Sequence, residues 1–179
     1  MRNYLRRYPE TKPIRWLVII LIALLLVYGA SPYFSFWRFT AAVRSRDFTA
    51  INAHVDFPSV RASLKKQLVA RFVRATSGHK RWSRRLGPTL IDAIVDVYAT
   101  PDGIAALLAN PGALKNLQTP EQFRFTTGKN ANWSKVKYAF FTGPRTFLVD
   151  REEIKLQFRF TGSGWRLNAI ELGLSHPQR

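Results

Sequence analysis

The chain contains no cysteine, and acidic residues are scarce among its 179 positions. Without cysteine there is no structural disulfide and no thiolate chemistry, and either redox compartment is permitted. Asp plus Glu number 11 against 28 Lys plus Arg, a formal charge of +17. Such an excess repels itself and suits an anionic partner: nucleic acid, phospholipid headgroups or an acidic polymer. Histidine is equally thin, at His54, His79 and His176. His54 and Asp56 stand two residues apart and cannot share a helix face, so no metal site is expected. No Gly-rich phosphate loop and no nucleophile-elbow serine occurs, and Gly162-Ser163-Gly164 reads as a turn. These absences predict a protein that is not an enzyme and needs no cofactor.

What the chain does have is one long apolar run. From Trp16 to Ala30 all 15 residues are apolar, aromatic or small. A helix of that length covers about 22 Å, short of the ~30 Å hydrocarbon core. Continuing through Ser31, Pro32, Tyr33, Phe34, Ser35, Phe36 and Trp37 gives about 33 Å, which spans. Pro32 is expected to kink that helix or start a new one. Trp16 at one end and Tyr28, Tyr33 and Trp37 at the other suit the membrane interfaces. A cleaved signal peptide is the rival, with exits at Val27-Tyr28-Gly29 or Tyr28-Gly29-Ala30, but the bulky residues there favour an uncleaved signal anchor. Arg2, Arg6, Arg7, Lys12 and Arg15 precede the run, and Arg38, Arg44 and Arg46 follow it. The excess predicts a cytoplasmic N-terminus and an exported domain, as for a bacterial inner-membrane protein with its domain in the periplasm.

The expected organisation is a basic tail over 1–15, a transmembrane anchor over 16–36, and one soluble α+β domain over 37–179. The domain reads as helices to about residue 118 and strands from about 123. A helix is predicted from Pro32 to about Arg46. Asp47 caps a short one through Ala53, and Asp56-Phe57-Pro58 opens a third with Val60, Leu64, Leu68 and Phe72 on one face. A loop dense in charge follows, and Gly87-Pro88 introduces another helix with Leu90, Ile91, Ile94, Val95 and Tyr98. Thr100-Pro101-Asp102 has the order of an N-cap, a first-turn proline and an acid. Ile154, Leu156, Phe158 and Phe160 alternate with Lys155, Gln157 and Arg159, as a half-buried strand does. Trp165–Ile170 is its hairpin partner, and a second pair flanks Gly143-Pro144. Helices followed by such a meander pack on an antiparallel sheet.

Several of these blocks resemble a known family. Ala30-Ser31-Pro32-Tyr33, then Asp47, then Val55-Asp56-Phe57-Pro58-Ser59-Val60-Arg61-Ala62-Ser63-Leu64 look like domain-of-unknown-function family 2939. Thr100-Pro101-Asp102-Gly103 and Gly164-Trp165-Arg166-Leu167 fit the same pattern. The resemblance implies a bacterial, membrane-anchored protein without catalytic residues to transfer. The element order also resembles nuclear-transport-factor-2-like cone folds, which would curl the sheet round a pocket facing the helices.

Two candidate sites stand out. Arg74, Lys80, Arg81, Arg84 and Arg85 surround Trp82 with no acid among them, a composition suited to an anionic lipid surface or envelope polymer. Nucleic acid uses the same chemistry but is not expected beside an exported domain. Asp92 and Asp96 share a helix face, where they pair with nearby arginine or line the mouth of a pocket. The leading expectation is a membrane-anchored binding protein, with a small-ligand pocket or a scaffold role for another membrane protein as alternatives.

Overall fold

The computed structural model describes residues 12–76, 81–109, 136–151 and 154–173. Five helices precede four strands: α1 (Lys12–Ser45), α2 (Phe48–His54), α3 (Phe57–Thr76), α4 (Arg81–Tyr98), α5 (Pro101–Ala109), β1 (Val136–Gly143), β2 (Thr146–Arg151), β3 (Ile154–Phe160) and β4 (Trp165–Leu172). The strands form one antiparallel meander in the order β1-β2-β3-β4. The architecture is the expected α+β: a long apolar helix, further helices and a C-terminal sheet. The stretch from 110 to about 118, the expected end of the helical region, and the first strand residues from Phe123 lie outside the described residues.

α1 is the first departure from expectation. It runs unbroken for 34 residues with Pro32 inside it. A proline there removes the bond its N–H would make to the Tyr28 carbonyl. Ser31 Oγ donates to that same carbonyl at 2.7 Å, so the orphaned acceptor is satisfied and the helix continues. α1 ends in a Schellman motif: Arg46 adopts φ 53°, and the Asp47 N–H bonds the Ala42 carbonyl at 3.0 Å. Asp47 then caps α2, accepting from the Ala50 N–H at 3.0 Å.

Asp56 caps α3, accepting from the Ser59 N–H at 3.3 Å and the Ser59 hydroxyl at 2.7 Å. Its own N–H donates to the Leu167 carbonyl at 2.8 Å, tying the cap to β4. Further along, Gln67 treats the β4 edge as another strand would. It donates to the Ile170 carbonyl at 2.7 Å and accepts from the Leu172 N–H at 2.8 Å. An open edge that could template pairing is thereby covered.

α4 is the second departure. The charged stretch from Arg81 to Arg85 is the first turns of a helix, not a loop, and Pro88 sits inside it. An interior proline costs about 3 kcal/mol locally. Burial of Ile91, Ile94, Val95 and Tyr98 in the core offsets that cost, because packing outweighs propensity. Thr100 caps α5 as expected, accepting from the Gly103 N–H at 3.0 Å. Gly103 is there because nothing larger fits: a Cβ would stand 2.3 Å from the Val97 carbonyl oxygen.

Among the described residues, buried side chains of the helices and the sheet form one core. Phe39, Ile51, Leu64 and Leu107 meet Phe147, Leu156, Phe158 and Leu167, all at most 1% exposed. Phe39 and Phe36 place their rings edge-on to Phe158 at 5.7 and 5.9 Å. Arg151, 4% exposed, donates to the Leu108 carbonyl at 2.8 Å, one of the acceptors the end of α5 leaves open.

Candidate functional site

α1 has two halves with different surroundings. From Ile14 to Val27 its side chains are exposed, and it is the one described helix long and apolar enough to cross a membrane. From Tyr28 onward it packs on the sheet, so the anchor expected over 16–36 overlaps the domain. Tyr28 stacks within 6.2 Å of Phe141, 5.9 Å of Phe160 and 6.0 Å of Trp165, and its hydroxyl donates to the Pro144 carbonyl. Trp165 Nε1 donates to Ser31 Oγ at 2.8 Å, and Ser35 Oγ donates to the Trp165 carbonyl at 3.0 Å. Tyr33 lies 4.8 Å from Phe147 and donates to the Ala139 carbonyl at 3.1 Å.

The order of these partners gives the sheet its orientation. Tyr28 touches the ends of both hairpins, and Phe36 and Phe39 touch the middle of β3. The β1–β2 and β3–β4 turns therefore point toward the apolar half of α1. Arg145, Arg159 and Arg166 cluster at that end. Thr146 pairs with Arg159, and Arg159 pairs directly with Arg166 across the strands. All three are exposed. Like charges placed opposite each other destabilise a sheet unless something answers them.

Two clefts flank this end of α1. One, of about 460 Å³, is lined by Tyr28, Gly29 and the β1–β2 turn from Phe141 to Pro144. The other, of about 360 Å³, lies between α1, α2 and the β3–β4 hairpin, and its lining includes Arg38, His54, Ser163 and Arg166. Arg38 sits over the Phe34 ring at 5.4 Å. Phe34 and Trp37 are 59% and 64% exposed and pack on each other, so aromatic surface continues up the helix beside the arginine.

Lys80 lies outside the described residues, as do the side chains of Arg74, Arg81, Trp82, Arg84 and Arg85. Asp92 and Asp96 project from α4 toward α3, where Lys65 Nζ reaches Asp92 at 2.5 Å and Arg61 reaches Asp96 at 3.0 Å. Both pairs are about half exposed or more, so each contributes at most ~1 kcal/mol. Neither carboxylate lines the two clefts. Shifted titrations lie away from the clefts too: burial raises the Tyr98 phenol, and a 2.6 Å hydrogen bond to Asp150 raises that of Tyr138.

Sequence reasoning passed over Arg38, His54 and Arg166 as a group. They are far apart in the chain, and only the docking of α1 on β4 brings them to one cleft. The tag that could have found them is the Gly164-Trp165-Arg166 block beside the aromatic run ending at Trp37. No curated protein and no solved structure matches the chain. Residues 21–107, which include the caps at Asp56 and Thr100 and stop short of the sheet, match the model of the family described as protein of unknown function DUF2939, bearing out the resemblance seen in the sequence.

Proposed function

We propose that the chain is a single-pass membrane protein without enzymatic activity, whose basic domain is held against an anionic bilayer surface by a rigid, short stalk. One observation carries this: α1 is a single helix whose first half is apolar and exposed and whose second half is part of the domain core. Ile14–Val27 covers only about 21 Å, less than the hydrocarbon thickness. A span that short thins the bilayer around it, and the rigid join at Tyr28 draws the hairpin ends down to the headgroups. Arg145, Arg159 and Arg166 at the hairpin ends then stand where anionic phosphates are dense, each contributing about 1 kcal/mol near such a surface. A bacterial inner membrane with the N-terminus cytoplasmic and the domain periplasmic fits the five basic residues before the run.

The packing of Tyr28 also supports retention of the helix. A cut at Val27-Tyr28-Gly29 or Tyr28-Gly29-Ala30 would take away the ring that joins α1 to both hairpins. Extraction of membranes at alkaline pH, with intact mass measured on the retained protein, tests the reading. Full-length protein remaining in the pellet is the expected result. Release into the supernatant, or a mass showing cleavage between Val27 and Ala30, would contradict it.

A further inference from the structure

We propose that the 360 Å³ cleft between α1, α2 and the β3–β4 hairpin is a binding site for a phosphate group, with Arg38, Arg166 and His54 as its ligands. The proposal rests on the placement of this end of the domain at headgroup level and gives that surface a specific site. The cleft is of ligand size, since pockets for small molecules begin at roughly 300 Å³. Arg38, Arg166 and His54 are among its lining residues, and no Asp or Glu is. Arginine is the side chain that presents a planar fork of donors to a phosphate.

Among the described residues, neither arginine of the cleft is paired with a carboxylate. The ion pairs among the described residues join Arg61 to Asp96, Lys65 to Asp92 and Lys155 to Asp150, and use neither Arg38 nor Arg166. Arg166 is moreover opposed across the strands by Arg159. A bound anion relieves that repulsion, which an apolar or cationic ligand would leave or worsen. His54 is held in place from behind: its Nδ1 lies 2.9 Å from the Ala50 carbonyl, so Nδ1–H donates there, and Nε2 donates to a phosphate oxygen in the imidazolium form of the ring. Ser31 and Ser35 fix the walls through Trp165, which keeps the β3–β4 turn against α1.

A phosphate of this kind comes either from a phospholipid headgroup or from a free phosphate compound. Calorimetric titration of the full chain in a neutral detergent separates the two sources, using inorganic phosphate in one arm and a short-chain phosphatidylglycerol in the other. Binding of either probe, weakened at least tenfold in both R38Q and R166Q and unchanged in R61Q, is the expected result. Phosphatidylglycerol binding without inorganic phosphate binding identifies the lipid as the source, and the reverse identifies a soluble phosphate. R166K, which keeps the charge but loses the fork, is expected to fall between wild type and R166Q, and covers the case in which R166Q does not fold. Equal affinity in wild type, R38Q and R166Q, an equal loss in R61Q, or no binding of either probe would overturn the proposal. These outcomes are independent of the alkaline extraction: a retained, uncleaved protein that binds neither probe sinks the cleft alone, and a released protein that still binds inorganic phosphate sinks the anchor alone.

Discussion

Two single residues show how closely this fold specifies its backbone. At Gly103 a Cβ would lie 2.3 Å from the Val97 carbonyl oxygen and 2.6 Å from the Tyr98 Cα. Both obstacles are backbone, so relief requires moving α5 off the end of α4. Gly103→Ala is expected to lower stability by about 1–3 kcal/mol, measured by chemical unfolding, although alanine is the better helix former. Arg46 presents the opposite case. It holds φ 53° at the end of α1, a conformation that costs a non-glycine residue about 1 kcal/mol or more. Arg46→Gly should raise stability by about 0.5–1 kcal/mol, since glycine is the usual occupant of that position. A loss of stability in that variant would mean the arginine side chain does something its backbone does not reveal.

At the scale of elements, legibility in the sequence followed the range of the interaction. The strands could be read because a half-buried sheet forces alternation, as at Ile154, Leu156 and Phe158. The caps at Asp47, Asp56 and Thr100 could be read because each bonds only three residues ahead. The unbroken course of α1 could not. A proline signals a break, and its cancellation depends on the one hydroxyl that reaches the Tyr28 carbonyl. Nor could the docking of Tyr28 on Pro144, because a contact spanning 116 residues leaves no local pattern. The candidate cleft was hidden for the same reason. Gln67 is a further long-range device, a helix side chain completing the edge of β4. Gln67→Leu keeps the volume but strands the Leu172 N–H and the Ile170 carbonyl, at roughly 1–3 kcal/mol for each buried group. Hydrogen exchange at Leu172 should accelerate in that variant while exchange in β2 changes little. Uniform acceleration across the sheet would show that the glutamine supports the whole fold and not its edge.

For the whole molecule, the consequence of building one helix into both stalk and core is that the domain has no free linker. A flexible tether would let a +17 chain sample any orientation above the bilayer. On the proposed reading, α1 instead commits the hairpin ends, with their arginines, to the membrane side and the α5 end of the core to the other. The absence of cysteine makes this directly measurable, because a single introduced thiol carries the only label. Ser163 lies at the tip of the β3–β4 hairpin, and Glu171 is near the other end of β4, about 26 Å away along an extended strand. The full chain carrying Ser163→Cys or Glu171→Cys, spin-labelled and reconstituted in phosphatidylglycerol-containing bilayers, reports depth by collision with a lipid-soluble relaxant. The label at 163 should sit in the headgroup layer and the label at 171 in bulk water. Equal exposure of both labels to water would contradict the account.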